Sequence, residues 1–320
     1  MRKIPAVIAV LGLAAVTLVG CSTSTSADCP RPTTSDQASM DLITVKGAAD
    51  EAPEVTVRAP FHTKTTEFSD VEEGDGIAIT DGEQLVVLDV TLVNGASGKT
   101  LVQTPYDGDL SRVFPLSRWV QTFPGFADAL ECATEGSRVA IALAPGDVEA
   151  QNAANLGLEE GDSAVAVVDL RKVYLPKAEG ADQYNDALGM PTVVRAPDGR
   201  PGIIVPDATP PTDLVVQTLQ KGDGPVVTGD DPVRVHYTGV TWADRKVFDT
   251  TWGAEPQSVV LDSMIPGFAE ALKGATVGSQ VLVVIPPDQG YGDQQQGSIP
   301  GDSTLVFVVD ILGIDAAPSE

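Results

Sequence analysis

The chain has 320 residues, with 20 basic residues against 45 acidic ones and a formal net charge of -25. A charge of this sign repels phosphate backbones, which excludes a typical nucleic-acid-binding protein. The hydrophobic share of 42% excludes a chain that is disordered throughout, and the length indicates about two domains.

The N-terminus has the pattern of an export signal. Two basic residues precede an almost wholly apolar run, residues 4–19, which is followed by Gly20 and Cys21. This pattern predicts a signal peptide and resembles a bacterial lipobox, with cleavage before Cys21 and a lipid on its sulfur. An uncleaved anchor helix is the alternative, although the apolar run is short for a membrane span.

Two more cysteines follow, Cys29 and Cys132. Outside the plasma membrane a disulfide between them is chemically permitted. Such a bond would attach the N-terminal segment to the first domain. The alternative is that both cysteines stay unpaired.

The rest of the chain contains one long internal repeat. Residues 123–130, FPGFADAL, recur as residues 265–272, IPGFAEAL, and residues 166–170, AVVDL, recur as residues 307–311, FVVDI. Two copies at this long period predict a tandem duplication of a domain.

The spacing between the copies predicts the domain boundaries. The number of residues that separates matching positions of the two copies decreases along the chain. This decrease predicts a longer loop in the first copy between residues 102 and 122. The predicted segments are a signal peptide at 1–20, a tether and N-terminal segment at 21–52, a first domain at 53–176, a linker and leading strand region at 177–211, a second domain at 212–315 and a tail at 316–320.

The second copy shows the most readable secondary structure. Residues 233–238 and residues 305–311 alternate between two faces, which predicts half-buried strands. Residues 281–285 form a short apolar strand that two prolines close. Residues 267–273 form a short helix that Gly274 ends. Several antiparallel strands and one helix predict an α+β domain, with the sheet curved over the helix.

Six short motifs stand in order between residues 214 and 314. They are VHYTG at 235–239, KVFDTT at 246–251, IPGF at 265–268, GYG at 290–292, IP at 299–300 and TLVF at 304–307. In order and spacing they resemble the FKBP-type peptidyl-prolyl isomerase family. The resemblance implies an α+β fold of two tandem FKBP-like domains, each a curved antiparallel sheet wrapped around one short helix.

The resemblance also implies a substrate site, a hydrophobic hollow between helix and sheet. Tyr291 would donate a hydrogen bond to a substrate carbonyl, Asp249 would orient the amide, and the Ile265 backbone N–H would hold another carbonyl. The implied catalytic residues are Asp249, Tyr291, Tyr237 and Phe248, and the implied substrate-binding residues are Met264, Ile265, Phe268, Ile299 and Phe307.

The implied reaction is rotation about an X-Pro bond, whose amide resonance imposes a barrier of about 18–20 kcal/mol. A dry hollow that fits the twisted amide better than the planar one lowers this barrier. The reaction needs no covalent intermediate, cofactor or metal, and two histidines without a zinc-type spacing do not indicate a metal site.

The sequence departs from the family pattern at three places. Phe268 stands where the family usually has Trp, Gln257 replaces a frequent aromatic residue, and residues 293–298 form a polar loop in place of the usual flap residues. The last two departures favour an alternative function, a non-catalytic FKBP-like peptide-binding chaperone or receptor module at the cell envelope.

The first copy is expected to keep the fold and to lose the site. Its alignment with the second copy removes both polar site residues, which predicts a degenerate, inactive domain that serves as a spacer, a peptide-holding surface or a partner for the second domain. The alignment places Val90 at Tyr237, Leu101 at Phe248, Val102 at Asp249, Ala150 at Tyr291 and Val167 at Phe307.

Taken together, these patterns predict an exported lipoprotein on the outer face of the cell membrane, whose second domain isomerises X-Pro bonds. The expected partners are proline-containing exported polypeptides, macrolides are further candidate ligands, and the membrane is contacted through the lipid anchor only. No nucleic-acid partner is expected. A purely structural envelope protein is a third hypothesis, supported only by the degenerate first copy.

Overall fold

The structure is a computed structural model of the chain, and it describes residues 29–32, 38–49, 51–185 and 187–316. The predicted signal peptide and the predicted lipid attachment site, Cys21, lie outside the described residues. Within the described part of the chain, no helix is both long enough and apolar enough to cross a membrane.

The first half of the described chain forms one antiparallel sheet with short helices and a separate hairpin. Its elements in chain order are β1 (Ile43–Lys46), β2 (Glu54–Val57), β3 (Glu67–Glu72), β4 (Leu85–Asn94), β5 (Thr100–Gln103), β6 (Phe114–Pro115), α1 (Leu116–Thr122), α2 (Phe126–Leu130), β7 (Arg138–Leu143), α3 (Ala150–Leu156) and β8 (Ala164–Val173). The strands of the sheet lie in the order β3–β7–β8–β4–β5, β6 also pairs with β4, and β1 pairs with β2.

The second half repeats this plan. Its elements are β9 (Ala181–Asp182), β10 (Thr192–Arg195), β11 (Pro201–Ile204), β12 (Val215–Lys221), β13 (Val233–Thr241), β14 (Val247–Thr250), β15 (Gln257–Val259), α4 (Pro266–Leu272), β16 (Gln280–Ile285) and β17 (Leu305–Ile314). The sheet order is β14–β13–β17–β16–β12–β9, β15 also pairs with β13, and β10 pairs with β11.

The predicted α+β class is confirmed. Both sheets are antiparallel, α2 packs on β7, and α4 packs on β16, so each sheet carries a helix on its core face. The expectation of one helix per domain is too simple for the first half, where α1 and α3 are additional. The longer loop predicted between residues 102 and 122 contains β6 and most of α1.

Local sequence explains the helix α4. Pro266 occupies the first turn, where its missing N–H is not needed, and Gly274 follows the helix with a φ of 86°, a left-handed conformation that favours glycine. Phe268 and Leu272, four residues apart, are fully buried against the sheet.

Each half also has a hairpin that packs on the face of the sheet opposite the helix. Side chains from β1 and β2 pack against a cluster that includes Val93 and Ala140 of the first sheet. Side chains from β10 and β11 pack against a cluster that includes Val240, Leu282 and Val284 of the second sheet. The repeat therefore extends into the segments predicted as tether and linker, where the two copies share no obvious sequence motif.

Strand register aligns the two copies residue by residue. Val90 on β4 lies opposite Val168, and Tyr237 on β13 lies opposite Val309. Because Val168 and Val309 occupy matching places in the repeated segment, Val90 takes the position of Tyr237.

The alignment at Phe307 is corrected by the same registers. Phe307 lies opposite Val283 on β16, and the residue that matches Val283 in β7, Ile141, lies opposite Ala166. Ala166, not Val167, therefore stands at the position of Phe307. A shift of one residue places a side chain on the other face of the sheet, and Ala166 indeed belongs to the core cluster on the helix side.

The N-terminal segment is attached to the first sheet at one end. Cys29 and Cys132 form a disulfide, with their Cα atoms 5.5 Å apart. Two residues further on, the Arg31 guanidinium pairs with the Asp70 carboxylate at 2.8 Å and donates a hydrogen bond to the Ala129 carbonyl. The covalent bond and the ion pair together fix where the chain enters the first domain.

A buried aspartate occupies the same place in both sheets, with different partners. In β8 the Asp169 carboxylate pairs with Arg138 of β7. In β17 the Asp310 carboxylate accepts hydrogen bonds from the Gln280 side chain at 2.7 Å and from the Ala178 backbone N–H at 2.8 Å. Since neither donor to Asp310 carries a charge, burial raises the pKa of this carboxyl to about 6.

The raised pKa predicts how pH acts on the stability of the second domain. Unfolded Asp310 titrates near its ordinary value, so between that value and about 6 the folded chain holds one more proton than the unfolded chain. The free energy of unfolding therefore falls as pH rises through this range. We expect Asp310→Asn to gain about 2 kcal/mol relative to the parent between about pH 4.5 and about pH 6.5.

Urea unfolding of the parent and the Asp310→Asn chain at a series of pH values measures this difference. Asp213→Asn is the matched control, because Asp213 is exposed and its replacement removes the same charge from the same domain. A constant difference between the Asp310→Asn chain and the parent over this pH range would contradict the prediction.

Candidate active site

Four aromatic side chains form one cluster between the second sheet and α4. Tyr237 comes from β13, Phe248 from β14, Phe268 from α4 and Phe307 from β17. The ring centroids of neighbouring pairs lie between 5.3 and 6.2 Å apart, and all four contacts are edge-to-face. This geometry is favourable for aromatic rings and fixes their orientation.

Glycine at one position allows this packing. A Cβ atom on Gly239 would lie 2.5 Å from the Phe248 ring and 2.8 Å from the Phe307 ring. Any other residue there would push the two rings apart. The glycine of the VHYTG motif is therefore required by the close approach of two aromatic rings to the backbone of β13.

The polar part of the site begins with a pair between adjacent strands. The Tyr237 hydroxyl donates a hydrogen bond to the Asp249 Oδ2 atom at 2.5 Å. Burial raises the pKa of Tyr237, and the Asp249 carboxylate raises it further because an ionised phenol beside it would be repelled. Tyr237 thus remains a protonated donor, while Asp249 itself is exposed at the rim of the cluster.

Tyr291 supplies a second hydroxyl at the same rim. Its side chain is 36% exposed, and it lies close enough to Tyr237 to contribute to the raised pKa of that residue. The Tyr291 hydroxyl forms no hydrogen bond with any of the described residues. It is consequently available to a bound molecule.

The remaining predicted residues extend the apolar surface. Ile299 is buried, whereas Met264 and Ile265 are half-buried and pack against the same core cluster. Ile265 is the N-cap of α4, and among the described groups its backbone N–H has no acceptor. The structure therefore brings all nine predicted site residues to one region, where their individual roles in binding or catalysis stay predictions.

Hydrogen bonds and a stacked ring hold β13 in place on the face away from the aromatic cluster, and the sequence did not predict them. The Thr251 hydroxyl accepts a hydrogen bond from the Tyr237 backbone N–H at 2.9 Å and bonds with His236 Nδ1 at 2.8 Å, and the Trp252 ring stacks on His236 with centroids 4.4 Å apart. Burial lowers the pKa of His236 to about 4, so it is neutral at pH 7. The alternation predicted for residues 233–238 places His236 and Tyr237 on opposite faces of the strand. It does not identify the residue that stacks on His236.

The sequence model of one family, described as FKBP-type peptidyl-prolyl cis-trans isomerase, matches residues 224–312. The FK506-binding protein of Streptomyces anulatus is 33% identical over 121 residues, which cover 36% of this chain and 97% of that relative. The chain belongs to the FKBP-type isomerase family. The matched region contains every predicted site residue.

A second relative shares only part of its length with this FKBP-type chain. The FKBP-type peptidyl-prolyl cis-trans isomerase FkpA of Escherichia coli K12 is 41% identical over 111 residues, which cover 34% of this chain and 41% of that protein. In the crystal structure of FkpA from Escherichia coli, the match is 34% identical and covers 41% of this chain and 54% of the other, with a TM-score of 0.32. The family matches support peptidyl-prolyl isomerase function and do not favour a purely peptide-binding module.

Within the described residues, no group of three or more His, Cys, Asp or Glu side chains is placed to hold a metal ion. The donors at this site that have no acceptor among the described residues are the Tyr291 hydroxyl and the Ile265 N–H, since the Tyr237 hydroxyl already donates to Asp249. These two donors can hold carbonyl oxygens, and the aromatic rings beside them can hold an apolar side chain.

Proposed function

We propose that the second domain catalyses cis–trans isomerisation of X-Pro bonds in polypeptides, without a covalent intermediate or a cofactor. The observation that carries this proposal is the Tyr237–Asp249 pair at the rim of the four-ring cluster. An apolar surface with polar groups along one edge is suited to a proline ring and its flanking carbonyls.

The mechanism follows from what must change during the reaction. The planar amide is stabilised by resonance, which separates charge between its oxygen and nitrogen, and the twisted amide loses that resonance. The aromatic rings hold the proline side, Tyr291 donates to one substrate carbonyl, and the Ile265 N–H donates to another. These contacts lower the barrier to the extent that they fit the twisted amide better than the planar one.

The first domain is proposed to be a degenerate FKBP-like domain without turnover. Val102 takes the place of Asp249, and Val90 takes the place of Tyr237. The ionic acceptor and the buried hydroxyl are therefore both missing. The remaining apolar residues can still bind an apolar group, but they offer no polar pair to orient an amide.

We further propose that the chain is an exported lipoprotein attached to the outer face of the cell membrane through a lipid on Cys21. The signal-like N-terminus supports export, and a disulfide between Cys29 and Cys132 is suited to an oxidising compartment. The proposed partners are proline-containing exported polypeptides, and macrolides are proposed as further ligands of the aromatic site.

An isomerisation assay on the full chain without its signal peptide tests the function. We expect turnover of a proline peptide, and we expect Tyr291→Phe to lower kcat/KM by about 5-fold because one hydrogen bond to the substrate contributes about 1 kcal/mol. Tyr184→Phe is the matched control, since Tyr184 is 94% exposed and lies outside the site. The proposal fails if the parent chain shows no turnover.

A further inference from the structure

The first domain has a hollow of its own, with a volume of about 250 Å³. It lies between β4, β5, α1 and α3, which is the place that corresponds to the aromatic cluster of the second domain. Its walls include Val90, Val102, Trp119, Phe123, Asn152 and Leu156.

The lining of this hollow is uncharged. Val102 stands at the position of Asp249, so the carboxylate of the second domain has no counterpart here. No Asp, Glu, Lys or Arg lies among the described residues that line the hollow. This contrasts with a chain whose net charge is -25. An apolar, uncharged wall favours an uncharged apolar group, since a charged ligand would lose its hydration without gaining a partner.

One wall is specific to the first domain. Asn152, Asn155 and Leu156 share one face of α3, a helix that Glu149 caps and that ends at Gly157. The corresponding segment of the second domain carries Tyr291 and contains no α-helix. The side-chain amides of Asn152 and Asn155 form no hydrogen bond with any described residue. Each offers a donor and an acceptor, which is the combination that a peptide backbone requires.

An unpaired donor stands in the same wall. The Trp119 indole N–H is buried and has no hydrogen-bond partner within the described structure. A buried donor without an acceptor costs about 1–3 kcal/mol, so native proteins rarely retain one without a reason. A ligand carbonyl that entered the hollow beside Trp119 would supply the missing acceptor after a small movement of the ring.

We propose that this hollow binds one apolar side chain of an extended polypeptide, proline included, and holds it without isomerising the adjacent bond. The volume accommodates one side chain rather than a folded surface. The amides of Asn152 and Asn155 and the Trp119 N–H match the alternating donors and acceptors of a peptide backbone. The choice of an exported polypeptide as ligand rests on the proposed function, whereas the binding itself does not require turnover in the second domain.

Two binding sites in one chain would act on the same client. Once the second domain holds one segment of an unfolded polypeptide, a second segment meets the first domain at a raised effective concentration. Even the weak binding expected of a small hollow is then sufficient to keep the client near the isomerase domain between turnovers.

The test uses the full chain without its signal peptide, labelled with nitrogen-15 at tryptophan, and the uncharged peptide acetyl-Ala-Leu-Pro-Leu-amide. Three indole signals are expected from the three tryptophans, and Trp119→Phe identifies the one from the hollow. We expect the peptide to move the Trp119 signal in a saturable titration. We also expect Val102→Glu, which places a charge in the hollow, to weaken that titration at least 10-fold.

The matched control is Val71→Glu. Val71 lies on β3 with 46% of its side chain exposed, against 40% for Val102, and it does not line the hollow. Val71→Glu should leave the Trp119 titration unchanged, and neither variant should alter kcat/KM of the second domain. A Trp119 signal that the peptide does not move, or an equal effect of both variants, overturns the proposal. A moving Trp119 signal in a chain without turnover supports this proposal while refuting the proposed isomerase function.

Discussion

Replacing Asp249 with alanine is expected to lower kcat/KM for a proline peptide by about 100-fold, because hydrogen bonds to a charged group contribute about 1.5–3 kcal/mol. The Asp249 carboxylate accepts a hydrogen bond from the Tyr237 hydroxyl at 2.5 Å, and Asp249 is exposed at the rim of the site. The substitution removes an ionic acceptor and leaves the Tyr237 hydroxyl without its partner. Both changes act where the twisted amide would lie.

Two further variants separate charge from hydrogen bonding. Asp249→Asn keeps an oxygen that can accept from Tyr237 but removes the charge, so we expect a smaller loss of about 10-fold. Asp244→Ala is the matched control, because Asp244 is also exposed and lies in the turn between β13 and β14. The steady-state rate with one proline peptide measures all three.

The outcome that contradicts this prediction is an Asp249→Ala chain with kcat/KM within twofold of the parent and an unchanged urea unfolding curve. The unfolding curve is needed because Tyr237 is buried, and a loss of its partner could loosen the second domain as well. A loss of activity with an unchanged unfolding curve assigns the effect to the site.

The second domain could be predicted closely because its local signals agree with its packing. The alternation in β13, the proline and glycine around α4 and the apolar β16 each point to the observed element, and the α4 boundaries differ by one residue from the prediction. Where local preference, periodicity and burial coincide, one sequence is sufficient. The motifs then placed the aromatic residues at the site.

The first domain shows what the sequence alone could not reveal. The helix α3 has local signals, the Glu149 cap and Gly157 at its end, but seven residues are too few for an isolated helix. It forms in contact with the first core, against which Ala153 and Leu156 pack. The hollow between α3 and β5 depends on that packing and was therefore not predictable. The position of Ala166, by contrast, could be predicted, because the repeat of residues 166–170 at 307–311 already matches Ala166 with Phe307. The alignment of Val167 with Phe307 departs from that repeat by one residue, which is enough to exchange the two faces of a strand.

A polar residue within an apolar strand is a further usable signal in this sequence. Asp169 and Asp310 each interrupt a run of apolar residues, and a buried carboxylate requires a partner. The repeat places Arg138 and Gln280 at matching positions on the neighbouring strands. The buried carboxylate is therefore paired with a cation in the first domain and with a neutral amide in the second.

Replacing Arg138 with methionine is therefore expected to destabilise the first domain by about 3–5 kcal/mol, because it leaves a buried carboxylate without its cation. Arg138 is 1% exposed, and its guanidinium contacts both oxygens of Asp169, at 2.6 and 3.0 Å. It also donates to the carbonyls of Gly47 and Glu51 and so fixes the N-terminal hairpin. Burial raises the pKa of Asp169 even with this partner present.

The double variant Arg138→Met with Asp169→Leu tests the cause of this loss. It removes both charges and keeps an apolar core, so we expect it to recover most of the stability, since replacing a buried ion pair by apolar residues is often nearly neutral. The carbonyls of Gly47 and Glu51 belong to exposed residues and can bind water instead. Urea unfolding, followed by tryptophan fluorescence, measures the three chains.

The matched substitution in the second domain is Gln280→Met, which removes a neutral donor from Asp310. Each carboxylate keeps one neutral donor after its substitution, the Ala178 N–H for Asp310 and the Tyr106 hydroxyl for Asp169. We expect Gln280→Met to cost less than Arg138→Met, because it removes a neutral amide rather than a cation and because Asp310, with a pKa of about 6, can bind a proton. The cost of Gln280→Met should also be smaller at about pH 5 than at about pH 8, since the protonated carboxyl needs no charge partner. Equal costs for the two substitutions at both pH values would show that the cation of the first domain contributes no more than the amide that replaces it in the second.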